Sequence, residues 1–227
     1  MKKLLIKFPT RNRPEKFKKV LQLYIDMLSG KHDVRFVITM DEDDSTMNTQ
    51  EIKEWLNSLP INIKYNYGHS KTKIEAVNAD LDGEEADVLL LASDDMFPEV
   101  QNYDDIIFQK FEEFFPDFDG AIKFNDGYRY NGSTPDDLMT LCVMGWSLYK
   151  QFGYIYHPEY NSLYADNEQT QVLKNMKKYA SSEICLIRHI WTKDRSQWDD
   201  LQVRNERQEL YDKDLEVFNR HMKEMEI

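Results

Sequence analysis

Apolar positions in the first 93 residues recur with two alternating spacings. Lys3 to Phe8 is a short apolar run that predicts a strand, and Pro9 to Pro14 is a polar loop. Glu15 to Ser29 then places Phe17, Val20, Leu21, Tyr24, Ile25 and Leu28 on one helical face, with Gly30 past the end. Val34 to Thr39 reads as a second strand that runs into the acidic loop Asp41-Glu-Asp-Asp-Ser-Thr. Thr49 is placed to cap a helix bearing Ile52, Trp55, Leu56 and Leu59, which Pro60 stops. Ile61 to Asn66 predicts a third strand, Ser70 the cap of a helix with Ile74, Val77 and Leu81, and Ala86 to Ser93 a fourth strand. The unbroken apolarity of that last strand suits a central parallel position. Such alternation predicts a mainly parallel α/β sheet with right-handed crossovers, and ligands of such sheets sit outside the carboxyl ends of the strands.

Beyond residue 93 the pattern loosens. It predicts a helix over Tyr103 to Phe115, a strand at Gly120 to Asn125, a polar turn at Asn131-Gly132-Ser133 and an apolar segment from Leu138 to Gly145. A helix over Asp166 to Lys177, a strand over Glu183 to Arg188 and a largely helical tail from Trp198 to Met225 follow. The 227 residues suit one domain, with a nucleotide-binding half at 1–97, an acceptor and metal half at 98–195 and a carboxyl-terminal helix at 196–227. Tyr211, Leu215, Phe218 and Met222 give that helix an apolar stripe, expected to dock on the domain or on the partner of a homodimer.

Charge narrows the picture. A formal net charge of −12 argues against a general nucleic-acid binder, because such affinity comes from neutralising phosphates with Lys and Arg. Yet Lys2, Lys3, Lys7, Arg11, Arg13, Lys16, Lys18 and Lys19 crowd the first nineteen positions against Glu15 alone, which is either local anion chemistry or a solvated basic face. The longest apolar run, Val88 to Ala92, is far too short to span a membrane, and the early Lys7 and Pro9 do not suit a signal peptide; a cytoplasmic location is expected. Cys142 and Cys185 lie in apolar surroundings and read as reduced core thiols.

Candidate chemistry gathers where strands end. Asp94 and Asp95 directly follow the fourth strand, where adjacent carboxylates either hold a divalent cation or serve as turn acids. Pro9-Thr-Arg-Asn-Arg-Pro14 follows the first strand, Asp41 the second, and Lys71 and Lys73 open the helix before the fourth. An acid for a base or ribose, cations for phosphate and a carboxylate pair for a metal together suit a nucleoside diphosphate.

Taken in order, strand-Pro-Thr-Arg-Asn-Arg-Pro, the acid after strand two, Lys73 with Asn78, strand-Ser-Asp-Asp-Met, Tyr164-Ala-Asp-Asn-Glu168 and Arg188-His-Ile-Trp191 resemble family-2-like glycosyltransferases of the GT-A fold. The resemblance covers roughly residues 3 to 215. It implies a Rossmann-like sheet flanked by helices, with a mixed acceptor-side half. It makes Asp95 and His189 metal ligands for Mn2+ or Mg2+, with Ser93 standing where the motif carries its first acid. It assigns Pro9, Thr10, Arg11, Arg13, Asp41, Lys73, Asn78 and Asp94 to the nucleotide-sugar, Asp166 to the catalytic base with Glu168 as the alternative, and Trp146 and Trp191 to the acceptor.

Read without the resemblance, Asp166 suits a helix N-cap and His189 a packed residue at a strand end. Tyr128, Tyr130, Tyr154, Tyr156, His157 and Tyr160 are either sugar platforms or core. The activity implied is metal-dependent, inverting transfer of a sugar from a nucleoside-diphosphate sugar, UDP being the commonest donor nucleotide in the family. The acceptor is a hydroxyl on a glycan, a protein or a modified base, nucleic acid being least favoured by charge. The alternatives are a nucleotidyltransferase and a non-catalytic nucleotide-sugar or glycan-binding module.

Overall fold

A computed structural model of the chain describes residues 1–127, 138–190 and 194–225. The turn at Asn131-Gly132-Ser133 and the side chains of Tyr128, Tyr130 and Trp191 lie outside the described residues. Strand β1 (Lys3–Pro9) leads through a loop to α1 (Pro14–Asp26), which starts on a proline whose missing N–H and fixed φ suit a first helical turn. Phe17, Val20, Leu21 and Tyr24 are its buried face, each contributing about 1.5–3 kcal/mol as an upper bound. Next come β2 (Asp33–Asp41), α2 (Gln50–Ser58), β3 (Asn62–Gly68), α3 (Lys73–Asn78) and β4 (Val88–Leu91). Thr49 caps α2 as expected, its hydroxyl accepting from the Ile52 amide. Thr72, not Ser70, caps α3, its hydroxyl accepting from the Glu75 amide at 3.1 Å, while the Ser70 amide donates to Asp41 Oδ1 at 3.0 Å.

The second half comprises β5 (Met96–Pro98), α4 (Tyr103–Phe114), β6 (Ala121–Phe124), β7 (Val143–Gly145), α5 (Trp146–Phe152), α6 (Ala165–Asn175), β8 (Tyr179–Ser182), β9 (Ile187–His189), α7 (Asp200–Asn205) and α8 (Gln208–Met225). The expected strand at Glu183 to Arg188 shortens and shifts to β9, and the tail divides into α7, closed at its start by an Asp199–Gln202 capping box, and α8.

A seven-stranded sheet runs in the order β3-β2-β1-β4-β7-β6-β8, with β7 alone reversed. This is a mainly parallel α/β sheet flanked by helices. Leu4, Ile6 and Phe8 of β1 face one buried cluster with α1, while Leu5 faces the other with α3 and α5. Lys7 shares the face of Leu5 and is fully buried; its ammonium donates to Thr39 Oγ1 and to the Ala79 carbonyl. Both cysteines are free, and burial pushes the Cys142 thiol well up from its ordinary value. Among the described residues no helix is long and apolar enough to cross a membrane.

The carboxyl-terminal helix docks on its own chain. Asp214 of α8 is fully buried and accepts from the amides of Asn161, Ser162 and Leu163 and from Asn161 Nδ2, at 2.8–2.9 Å. Tyr164 adopts a left-handed backbone (φ 61), a strain of about 1–3 kcal/mol for an aromatic residue. Its ring stacks on Phe218 and meets Tyr211 edge-on, both from α8. Helix α8 thereby braces the segment that leads into α6.

Candidate active site

Strand order reverses around β1: β2 lies on one side and β4 on the other. The loops after β1 and β4 therefore part at their carboxyl ends, which is where sheets of this kind open a binding crevice. Pro9, Thr10, Arg11, Arg13, Asp41, Lys73, Asp94, Asp95, Asp166 and His189 all line one cleft of about 610 Å³ there, within the range of small-ligand sites.

Adjacent Asp94 and Asp95 turn to different partners. Asp94 is buried, accepts from Arg13 Nη1 at 2.7 Å and Thr10 Oγ1 at 3.1 Å, and has Lys16 at 4.0 Å. Burial raises its carboxyl above the ordinary value in spite of Arg13. Asp95 faces His189, with Oδ2 3.8 Å from Nε2, and accepts from the Ser93 hydroxyl. Burial works to raise the Asp95 carboxyl, but nearby His189, the Ser93 hydroxyl and Lys73 outweigh it and hold it well below the usual carboxylate range.

The meeting of Asp95 and His189 has a backbone cause. Strands β5 and β9 pair antiparallel with Met96 opposite His189, the Ile190 amide donates to the Asp95 carbonyl at 2.8 Å, and the His189 amide to the Asp126 carbonyl at 2.9 Å. Two ligand atoms of one divalent ion at about 2.1 Å stand roughly 3 Å apart, so this pair fits a cation with a small side-chain adjustment. Two protein ligands suit Mg2+ or Mn2+, which keep positions for water and phosphate oxygens, and the imidazole favours the later ion.

Arg11 binds Asp41 and Asp43 through Nη1 at 2.5 and 2.6 Å, and Arg13 spans Asp94 and Asp199. These arginines, read from sequence as phosphate cations, are held by acids of their own chain. Lys73 lines the cleft at an exposed position, and Arg195 and Arg204 line it as well.

Asp166 lies in the first turn of α6 and lines the cleft, but the N-cap position belongs to Tyr164. Three expected site residues are directed elsewhere. Glu168 follows Asp166 by two residues, about 200° around a helix, so its side chain leaves the cleft and is buried against Tyr160 and His221. Asn78 ends α3 away from the rim and is used up by the 155–156 backbone, donating to the Tyr156 carbonyl at 2.7 Å and accepting from the Ile155 and Tyr156 amides. Trp146 follows Gly145, which pairs with Val88 at the amino end of β4; it is thus at the opposite edge of the sheet, 3% exposed and stacked on Tyr149. Trp191 lies outside the described residues.

Sequence reading missed Asp126, Arg195, Trp198 and Arg204, which also line the cleft. Asp126 stands two residues after the end of β6, at Phe124, and carried much the same signal as Asp41 and Asp94, an acid close to the end of an apolar strand. The other three come from the α7 region, whose sequence has no apolar pattern to place it.

No protein-family profile and no curated protein sequence matches the chain. Solved structures do. The mannosyltransferase PcManGT from Pyrobaculum calidifontis, in complex with GDP-Man and Mn2+, superposes with a TM-score of 0.64 at 14% identity, covering 85% of this chain and 58% of that one. S. aureus TarS 1-349 in complex with UDP-GlcNAc gives 0.60 at 13% identity, covering 87% and 61%. A CMP:2-keto-3-deoxy-manno-octonic acid synthetase complexed with CTP gives 0.51 at 9% identity, covering 80% and 90%. The chain therefore spans about three fifths of the length of the two transferase structures. At these identities the likeness is one of architecture, and the fold is that of the GT-A glycosyltransferases.

Proposed function

We propose that this protein is a metal-dependent glycosyltransferase that moves one sugar from a nucleoside-diphosphate sugar to an acceptor hydroxyl with inversion of configuration. The observation that carries the reading is the convergence of Asp95, His189 and Asp166 from three separate stretches of sequence on one cleft at the carboxyl edge of the sheet. GDP-Man with Mn2+ in one structural neighbour and UDP-GlcNAc in another support a nucleotide-sugar donor, UDP being the first to try.

Asp95 and His189 would hold Mn2+ or Mg2+, which when bound supplies positive charge to the departing diphosphate. Thr10 and Asp41 border the nucleoside end of the cleft, and Arg11 fixes Asp41 in place. Lys73 at the rim balances phosphate charge. Asp166 accepts the proton of the acceptor hydroxyl at a carboxylate oxygen as the hydroxyl oxygen attacks the anomeric carbon, opposite the leaving diphosphate. Trp198 and Arg195, which pack on each other and line the cleft, suit a sugar-bearing acceptor, a glycan or a glycosylated protein, better than a nucleic acid, given the net charge of −12.

Nucleotide release from a panel of UDP- and GDP-sugars with Mn2+ or Mg2+ tests this directly. Asp166→Asn is expected to lower turnover by about 10²–10⁴-fold with nucleotide affinity unchanged. Wild-type turnover in that variant removes the base, and nucleotide binding indifferent both to metal and to Asp95→Asn removes the site. Incorporation of a nucleotide with release of pyrophosphate would instead favour a nucleotidyltransferase, the reading to which the synthetase likeness lends support.

A further inference from the structure

A second set of metal-ligating side chains lies outside the cleft. His157, Glu159 and His221 bring ring nitrogens and a carboxylate oxygen within 4.8 Å of one another. His157 and Glu159 sit on the connection between α5 and α6, where the Glu159 amide donates to His157 Nδ1 at 3.4 Å and keeps the two side chains adjacent. His221 comes from α8; its Nε2 is 2.6 Å from Glu159 Oε2, and its ring meets that of His157 edge-on with centroids 4.6 Å apart.

Behind His221 stands Glu168. This buried carboxylate lies 2.6 Å from His221 Nδ1 and accepts from the Tyr160 hydroxyl at 2.5 Å. A buried carboxylate on one nitrogen of an imidazole fixes its tautomer and aims the other nitrogen outward, the arrangement found behind metal-bound histidines. Here the outward nitrogen points at Glu159 and His157.

We propose that His157, Glu159 and His221 bind a zinc-class divalent cation, with Glu168 orienting His221, and that the cation ties α8 to the 157–160 segment. Two imidazoles and one carboxylate suit Zn2+ far better than Mg2+, and three protein ligands leave a fourth position for water. Tetrahedral ligands at about 2.1 Å stand about 3.4 Å apart, so rotations of the half-buried and exposed side chains must open the His221–Glu159 pair from 2.6 Å and bring the ligand atoms, all within 4.8 Å of one another, to that spacing. Arg220, half exposed and 2.9 Å from Glu159 Oε2, is the group that must swing aside. The site does not rest on the transferase reading. Its consequence is structural: α8 also carries Asp214 and Tyr211, which brace the segment entering α6.

The test uses the whole chain stripped with EDTA and titrated with ZnCl2 alone, followed by calorimetry and thermal melting. The variants are Glu159→Gln at an exposed position, His157→Ala, and Asp95→Asn, which breaks the pair in the cleft. Wild type and Asp95→Asn are expected to bind zinc and melt at higher temperature. Glu159→Gln and His157→Ala are expected to bind about tenfold or more weakly and to lose that gain, while melting near the wild type in EDTA. Cobalt in place of zinc should give visible absorption bands in Asp95→Asn that Glu159→Gln lacks. The proposal is overturned if wild type takes up no zinc, if Asp95→Asn abolishes uptake, or if Glu159→Gln and His157→Ala retain both the affinity and the melting gain.

Discussion

Asp214→Ala would remove one fully buried carboxylate from α8 and leave four N–H donors without an acceptor: the amides of Asn161, Ser162 and Leu163, and Asn161 Nδ2. At about 1–1.5 kcal/mol net for each bond the loss is about 4–6 kcal/mol, and because the Asn161 side chain can turn to water the expected cost is about 3–5 kcal/mol. In a chain of this size each kcal/mol moves the melting temperature by about 2–4 °C, so the variant should melt about 6–20 °C lower. Circular dichroism during heating, with urea midpoints as a second measure, reads this out. Asp214→Asn keeps a single acceptor oxygen and should fall between the two. The exposed Glu209→Gln, which breaks only a pair with Lys213 one helical turn away, is the control and should change stability by less than about 0.5 kcal/mol. An Asp214→Ala protein within about 1 kcal/mol of wild type would refute the reasoning, since it would mean that the 161–163 amides never depended on α8.

Two further outcomes concern the sheet. Burial, opposed by Asp80 and reinforced by Lys64, lowers the Lys7 ammonium from 10.5 to about 7. Below about pH 7 folded and unfolded chains carry the same proton and the folded state bears the whole cost of the buried charge. Between about 7 and 10.5 the unfolded chain binds more protons, so stability rises with pH, by at most about 1.36 kcal/mol per pH unit from this group. Urea midpoints from pH 7 to 9 should climb more steeply in wild type than in Lys7→Met, and parallel slopes would show that Lys7 is not the cause. A Cβ at Gly145 would stand 1.7 Å from the Phe118 carbonyl oxygen, so Gly145→Ala should destabilise by upward of about 3 kcal/mol; a wild-type urea midpoint would mean that β7 is seated differently.

The first half of the fold was legible because its elements are long enough to show a period. Lys3 to Phe8 and Val34 to Thr39 are apolar runs, and the helix between them repeats its buried positions every three or four residues. Strands β5, β7 and β8 are three or four residues long, and β8, Tyr-Ala-Ser-Ser, has no apolar run at all; pairing partners far away in sequence make them strands. Among candidate site residues, those close to strand ends could be placed on the cleft, because the carboxyl ends of the parallel strands open onto it. Trp146 misled because an aromatic beside a glycine looks alike whether it faces a ligand or the core, and only the reversed direction of β7 decides. Asp214 and His221 gave no signal: within a helix as charged as Gln208–Met225, nothing in the sequence marks the two side chains that turn inward.

The reversal of strand order around β1 also bears on how such a protein can change over generations. Beside Pro9, Thr39, Asp41 and Leu91 from the strand ends, the lining of the cleft comes largely from segments outside the seven-stranded sheet, among them the 10–13 loop, the 93–95 turn, the start of α6 and the stretch around α7. A residue can therefore change in one of these segments without disturbing the packed layers beneath, although Arg13, paired with both Asp94 and Asp199, ties three of the segments to one another.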